Sequence, residues 1–402
     1  MKITNAEVIV CSPGRNFVTL KVTTESGLHG WGDATLNGRE LAVATYLEAH
    51  LIPCIIGRDI FDTEDIWQYL YRGVYWRRGA INMTAIGALD MALWDLKGKA
   101  LGIPVYKLLG GKSRHNVLTY THAQGDTVSA LLKTIENKVN EGFRAIRVQS
   151  AVPGLKKTYG ISSNDSYEPA EKGQRPVEEL WDTKKYLDHI PLVFEQVRQE
   201  FDQDIHLLHD AHHRLTPIEA AHLGKSLEPF NLFWLEDATP AEIQDNFKWI
   251  RQHTTIPLAV GEIFNTIYDC HELLSKQYID YLRMTVAHGG GLTPLVKIAA
   301  LAELHGVKMA CHGPSDLSPI NLAACLHLGT AINNFGIQEY MGYPVEVSEV
   351  FRISHHFEDG AFLPCEEPGL GVDFNEKAAK KYPYQKAFLP VNRLQDGTLY
   401  HW

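Results

Sequence analysis

The stretch that decides the fold, residues 205–262, contains three short apolar runs that each end on a carboxylate: IHLLHD at 205–210, FWLE at 233–236 and LAVGE at 258–262. The terminal acids Asp210, Glu236 and Glu262 follow one another at intervals of 26 residues. That interval is typical of a strand–loop–helix unit, and successive parallel strands are neighbours on the rim of a barrel. The pattern therefore predicts three carboxylates that converge at the C-terminal end of a parallel barrel.

The same unit recurs on both sides of this stretch. Eight apolar runs that end on a polar residue lie between residues 118 and 339, and apart from one step of 63 residues they are 21 to 29 residues apart. Hydroxyl residues before proline, typical of helix starts, occur between the runs at Thr216-Pro217, Thr239-Pro240, Thr293-Pro294 and Ser318-Pro319. Eight units predict a parallel (β/α)₈-type barrel, and an open doubly wound sheet is the alternative.

The chain before the repeat has a different organisation. Val18, Leu20 and Val22 alternate with polar residues, and the first 35 residues predict a β-meander. A helical period follows, clearest from Thr84 to Leu101. We expect an α+β domain at 1–112, the barrel at 113–368 with a long loop at about 151–177, and a tail at 369–402 that returns to the first domain.

Composition limits the classes of partner. The chain has 402 residues, 45% of them hydrophobic and 21% charged, and a net charge of −10. That charge argues against nucleic acid and against an anionic membrane surface, and no run of 18 apolar residues predicts a transmembrane helix. Six cysteines without a CxxC pair are typical of reduced thiols. We expect a cytoplasmic protein with a small-molecule substrate.

The converging acids suggest a metal site. Three carboxylates at one rim would repel one another unless a cation lies between them, and hard oxygen ligands suit Mg²⁺; isolated, solvated loop acids are the alternative. His212 follows Asp210 by two residues and is a candidate general acid or base, whereas His209 and His213 are expected on the opposite face. Tyr159 in the long loop becomes a candidate base if a cation lowers its pKa. The remaining donors expected around the same mouth are Arg147, Arg283, His122 and His312.

At this point the sequence resembles the enolase superfamily. The segments that carry the resemblance are ALDMALWDL at 88–96, GIPV at 102–105 and LLGG at 108–111, together with the three acids in phase. The resemblance implies an α+β cap over a modified (β/α)₇β barrel, with one Mg²⁺ per subunit on Asp210, Glu236 and Glu262. Common members carry Lys-x-Lys where this chain has Arg147-Val148-Gln149. That departure, Arg283 at the end of strand six and the terminal YHW at 400–402 are similar to the mannonate dehydratase family.

That closer resemblance implies dehydration of D-mannonate to 2-keto-3-deoxy-D-gluconate. Tyr159, assisted by Arg147, would take the C2 proton, and His212 would protonate the departing 3-hydroxyl. The substrate-binding residues it implies are Asn37, His122, Arg283, His312, Asp316, Glu339 and Trp402. It also implies a homo-oligomer, a tetramer or larger. The alternatives are a D-gluconate or promiscuous low-activity sugar-acid dehydratase, a racemase or epimerase, and a barrel without catalytic activity.

Overall fold

The computed structural model describes residues 1–155, 168–169 and 175–401. The chain opens with an antiparallel three-stranded sheet in the order β1 (Ile3–Cys11), β2 (Phe17–Thr24), β3 (His29–Asp33). This is the predicted meander. The long helix Ala80–Leu101 packs directly on β3. Glycine permits this contact at position 32, since a Cβ atom there would lie 1.9 Å from the carbonyl oxygen of Ala88. The sheet and the helices around it form the cap.

The long cap helix starts four residues earlier than predicted and ends as predicted. Gly102 follows its last turn in the left-handed conformation, with φ of 70°, which a glycine adopts without strain. The other helical segments of the cap are Glu40–Tyr46, the π-helical turn Leu47–Leu51, Ile52–Ile55, Thr63–Arg72 and Val105–Leu108.

Eight parallel strands close into a barrel, which confirms the predicted fold class and excludes the open sheet. They are β4 (Val117–Gly125), β5 (Ala145–Ser150), β6 (His206–Asp210), β7 (Trp234–Glu236), β8 (Leu258–Val260), β9 (Tyr281–Met284), β10 (Lys308–Cys311) and β11 (Phe335–Glu339). Each pairs with the next along the chain, and β11 pairs with β4 to complete the circle. The barrel interior is filled by side chains that include Tyr120, Leu208, Trp234 and Ile337.

Seven helices connect successive barrel strands in the described part of the chain, as (β/α)₇β requires. They are Val128–Asn140, Thr183–Glu200, Pro217–Leu227, Asn246–His253, Ile267–Ser275, Leu292–Leu304 and Pro319–Ala331. The hydroxyl–proline pairs at 216–217 and 318–319 start helices as predicted, each with a side-chain N-cap hydrogen bond.

The other two pairs do not start helices. The helix at Leu292 begins before Thr293, because the carboxylate of Asp90 in the cap accepts a hydrogen bond from the Thr293 amide and replaces a hydroxyl cap. After Thr239-Pro240 the chain forms turns, and the helix begins only at Asn246.

Beyond the barrel, the tail contacts the cap. The amide of Leu370 donates to Asp95, the amide of Val105 donates to the carbonyl of Gly369, and the rings of Trp31 and Phe374 lie 5.2 Å apart. The remaining short elements are the helices Val345–Val350 and Glu376–Ala379 and the strands Glu168–Pro169, Glu178–Leu180, Phe351–Ile353, His356–Glu358, Ala361–Leu363, Val372–Phe374, Ala387–Phe388, Val391–Arg393 and Leu399–Tyr400. Among the described helices, none has the length and apolar character needed to cross a membrane.

Candidate active site

A cavity of about 310 Å³ lies between the C-terminal ends of the barrel strands and the cap. That volume suits a small molecule, and barrel enzymes place their active sites at this end. Its lining includes residues predicted for the site, namely Asn37, His122, Arg147, His212, Glu262, His312, Asp316 and Glu339. Tyr159 and Trp402 lie outside the described residues.

Beside this cavity the structure brings Asp210 and Glu236 into one group of possible metal ligands and Glu262 into a second, adjoining group. Asp210 ends β6, Glu236 ends β7, and Glu262 follows β8 by two residues. Ligand atoms of Asp210, Glu236 and Asp237 lie within 4.8 Å of one another, and so do those of His213, Asp237 and Glu262. Asp237, which the sequence reading did not select, belongs to both groups.

Buried arginines interleave with the carboxylates. Nη1 of Arg147 lies 2.7 Å from Oδ2 of Asp210 and 3.1 Å from Oε1 of Glu236. Arg283 contacts Oε1 of Glu236 at 3.1 Å, Oε2 of Glu262 at 2.5 Å and Oε2 of Glu339 at 2.6 Å. Arg283 is fully buried and does not line the cavity, so its guanidinium balances charge beneath the site.

The residues fit a divalent cation. Both oxygens of the fully buried Asp237 lack a hydrogen bond among the described residues. Nε2 of His213 lies 3.6 Å from Oδ1 and Nη1 of Arg283 lies 3.7 Å from Oδ2, too far for hydrogen bonds. A buried carboxylate without hydrogen bonds is costly, and a hard cation among such oxygens removes that cost. Asp210, Glu236 and Glu262 remain the predicted Mg²⁺ ligands, and Asp237, which belongs to both groups, would add negative charge beside the ion.

The pKa directions show how strongly these charges interact. Burial, opposed by Arg283 and reinforced by Asp210, raises the pKa of Glu236 to about 8. Burial also raises the pKa of Asp210 and, more strongly, that of Asp237. Burial alone would raise the pKa of Glu262, but His312 and Arg283 together hold it down at about 2. The cluster thus favours any additional positive charge.

Hydrogen bonding defines the state of His122. Register pairs His122 on β4 with Arg147 on β5, and Nη2 of Arg147 donates to Nδ1 of the imidazole at 3.1 Å. Because an arginine only donates, Nε2 carries the ring proton and donates to Oε1 of Glu339 at 2.7 Å. Burial and the charge of Arg147 lower the pKa of His122 to about 4. His122 therefore presents a neutral, fixed ring to the cavity.

His212 reaches the site by a route that strand alternation does not predict. Strand β6 ends at Asp210, and His212 and His213 both adopt the left-handed conformation, with φ of 49° and 58°. The Asp210 carboxylate accepts the amide of His212 at 2.7 Å and lies 3.1 Å from its Nε2. Burial and Arg214 lower the pKa of His212. Such backbone conformations in non-glycine residues cluster at functional sites.

The same turn corrects the expectation for His213. Its Nδ1 lies 3.1 Å from the carbonyl of Thr239, and its Nε2 faces Asp237 rather than the opposite side of the strand. His209, in contrast, lies on the core side as expected, between the carbonyl of Val148 and the hydroxyl of Tyr186.

The far wall of the cavity joins cap and barrel. Nε2 of His312, which follows β10, lies 3.5 Å from Oε2 of Glu262. Asn37 from the cap donates to Oδ2 of Asp316 at 3.4 Å. Further lining residues, which the sequence reading missed, are Arg15, Leu36, Gln124, Asn265, His288, Met341 and Leu389. Asn37 of the cap and Asp316 of the barrel are 279 residues apart in sequence, so no local signal could have paired the two walls.

A barrel with converging carboxylates at its mouth and an α+β cap above them defines an enolase-type architecture. Two family models match the chain: the mandelate racemase/muconate lactonizing enzyme N-terminal domain over residues 9–110, and the enolase C-terminal domain-like model over residues 130–378. The chain belongs to the enolase superfamily.

Relatives cover the entire chain. It is 57% identical to the D-galactonate dehydratase family member ManD of Chromohalobacter salexigens and to D-mannonate dehydratase Caul1427 of Caulobacter sp. strain K31, each over 100% of both chains. Its structure resembles that of an enolase from Pantoea ananatis solved with bound D-gluconate and Mg, with a TM-score of 0.92, 36% identity and 100% coverage of both chains.

Proposed function

We propose that this protein is a Mg²⁺-dependent dehydratase that converts D-mannonate to 2-keto-3-deoxy-D-gluconate. The observation that carries the proposal is the buried carboxylate cluster beside a cavity that also presents His212 and Arg147. The choice of D-mannonate as substrate rests on relatives of 57% identity that are named D-mannonate dehydratase.

Chemically, the metal supplies charge stabilisation for the enediolate that forms when the C2 proton leaves. We assign removal of that proton to Tyr159 on the family resemblance, with Arg147 as the cation that would favour its phenolate. The C3–O bond then breaks, and we assign to His212 the proton with which the hydroxyl leaves as water. Because burial favours the neutral ring, we propose that the imidazolium forms only when the negative charge of the substrate lies beside it. The resulting enol tautomerises to the 2-keto acid, so one water is lost and no oxidant is needed.

Binding falls to the residues around the cavity. His122 and Glu339 form one hydrogen-bonded wall, and His312 with Asp316 and Asn37 form another. Hydroxyl groups of a six-carbon acid can both donate to the carboxylates and accept from the imidazole and amide groups. Arg283 supports both walls through its ion pairs with Glu262 and Glu339. Trp402, which lies outside the described residues, is assigned to substrate binding by resemblance alone.

A second substrate, D-gluconate, has one supporting observation: the Pantoea ananatis structure, 36% identical, contains it. The names of the relatives also differ, since some are called members of a D-galactonate dehydratase family. We therefore assay a panel of C5 and C6 aldonic acids with Mg²⁺ or EDTA and measure the 2-keto-3-deoxy acid formed.

Mg²⁺-dependent product from D-mannonate, absent in Tyr159→Phe and His212→Asn, is the expected result. Product from D-gluconate alone would replace the assigned substrate. Exchange of C2 hydrogen with solvent deuterium without loss of water would indicate a racemase or epimerase instead, and no reaction with any acid would favour a barrel without activity.

We further propose that the protein is cytoplasmic and forms a homo-oligomer, a tetramer or larger. All six cysteines are free thiols in the structure. Tyr75 and Trp76 on the cap are 85% and 84% exposed, and exposed aromatic side chains of this size are typical of contact surfaces. Light scattering after size-exclusion chromatography measures the assembly, and a monomeric mass would refute it.

A further inference from the structure

The cap segment that carries Asn37 is tied to the barrel at three points. Asp33, the last residue of β3, accepts hydrogen bonds from the amides of Thr35 at 2.9 Å and Ser318 at 2.7 Å. The carbonyl of Thr35 lies 3.1 Å from Nε2 of His288. Asn37 then donates to Asp316 at the cavity wall. The position of Asn37 is thus determined by bonds to two separate barrel loops.

The role of His288 follows from its hydrogen-bond partners. A carbonyl oxygen only accepts, so Nε2 of His288 carries the proton that it donates to Thr35. Burial lowers the pKa of His288 to about 4, which keeps the ring neutral. The side-chain amide of Asn265 donates to the backbone carbonyl of His288 at 3.1 Å and fixes the backbone of His288.

Glycines that follow His288 allow the cap to pack closely against this turn. A Cβ atom at Gly290 would lie 2.6 Å from Cε of Met83, and one at Gly291 would lie 2.3 Å from Cβ of Asp90. The indole of Trp67 also donates to the carbonyl of Gly290 at 2.7 Å. Helices of the cap therefore rest directly on this turn, which fixes the distance between His288 and the cap segment.

We propose that His288 is a positioning residue for substrate binding: through the carbonyl of Thr35 it holds Leu36 and Asn37 against the cavity. The inference rests on the proposed function only in that the bound molecule is a sugar acid. His288 takes no part in proton transfer. Its loss weakens binding of the hydroxyl groups that Asn37 and Asp316 contact, and leaves the chemical step nearly unchanged.

Steady-state kinetics with D-mannonate test the proposal in His288→Leu, His288→Gln and Asn37→Ala. Loss of one neutral hydrogen bond changes a binding constant by roughly two- to tenfold. We expect His288→Leu to raise KM by about that factor with kcat within threefold of the parent. His288→Gln retains an N–H donor and restores KM. His253→Leu, an exposed histidine at the far end of its helix, is the control with no effect.

A double-mutant cycle separates positioning from an independent contact. If His288 acts through Asn37, the double variant His288→Leu/Asn37→Ala has the KM of Asn37→Ala alone. Multiplied effects of the two substitutions would overturn the proposal, as would a fall in kcat with KM unchanged.

Hydrogen exchange gives a readout that does not depend on turnover. In His288→Leu we expect amides of residues 34–39 to exchange about two- to tenfold faster, and in His288→Gln at the parental rate. Unchanged exchange in His288→Leu would overturn the inference. If no sugar acid is dehydrated but exchange responds as expected, the proposed function fails and the positioning role stands.

Discussion

Replacing Arg283 by methionine tests the electrostatic account of the site. Five buried or nearly buried carboxylates, those of Asp210, Glu236, Asp237, Glu262 and Glu339, surround the two guanidinium groups of Arg147 and Arg283. With every carboxylate ionised the cluster carries a net charge of about −3, and loss of Arg283 makes it about −4.

The expected magnitude follows from burial. Arg283 is fully buried and contacts three carboxylates between 2.5 and 3.1 Å. Removing one partner from such an arrangement costs about 3–5 kcal/mol of unfolding free energy. Because Mg²⁺ restores two positive charges, we expect the loss to be smaller with saturating Mg²⁺ than with EDTA. A difference of about 1.4 kcal/mol corresponds to tenfold tighter Mg²⁺ binding.

The assay is urea unfolding at pH 8 with EDTA or Mg²⁺, combined with calorimetric titration of Mg²⁺. Arg198→Met is the matched control, because the guanidinium of Arg198 donates to the carbonyls of Phe230, Asp202 and Ile205 and to no carboxylate near the site. Its loss of stability is expected to be the same with and without Mg²⁺. An Arg283→Met variant that loses equal stability in both conditions would refute the charge-balance reasoning.

Three further outcomes follow from the structure. Burial lowers the pKa of His327 to about 4, so the unfolded chain takes up a proton at this residue before the folded chain does as pH falls. The stability that the neutral ring contributes is complete above pH 6.5 and decreases by about 3 kcal/mol towards pH 4. Unfolding measured over that range should therefore depend less on pH in His327→Gln than in the parent. Gly291→Ala should lower the thermal midpoint more than Gly306→Ala, because both have positive φ but only Gly291 faces side-chain atoms within 4 Å. Thr216→Ala removes a capping box and should cost about 0.5–2 kcal/mol in urea unfolding, and an unchanged midpoint would contradict that assignment.

Periodic features of the sequence were sufficient for the fold. The 26-residue spacing of Asp210, Glu236 and Glu262 predicts neighbouring strands because each strand–helix unit advances the barrel by one position. Local helix signals were reliable at Thr216-Pro217 and at Ser318-Pro319, although Asp33 of the cap also contacts the Ser318 amide. Thr293 illustrates the exception, since the Asp90 carboxylate, which is 203 residues away in sequence, caps that helix instead.

Contacts between distant segments account for what the sequence did not reveal. Asp237 follows a predicted ligand directly, but strand alternation places it on the opposite face, and only its φ of 43° turns it towards the cluster. His288 carries no signal beyond the glycines that follow it. Position along a strand predicted Asp210, Glu236 and Glu262. Asp237 and the contact between Thr35 and His288 depend instead on a backbone turn and on packing between cap and barrel.

The backbone conformation at the ends of β6 and β7 determines how His212, His213 and Asp237 reach the site. His212, His213 and Asp237 are all left-handed, and a continued β-strand would place His213 on the face opposite to Asp210 and His212 rather than direct it at Asp237. Histidine and aspartate tolerate that conformation better than most residues, but each still costs free energy. The hydrogen bond from the His212 amide to Asp210 and the bond from the His213 amide to the carbonyl of Asp237 offset part of that cost. The turn therefore exchanges local backbone stability for a histidine held 3.1 Å from the Asp210 carboxylate, a placement that suits the proposed protonation of a leaving hydroxyl.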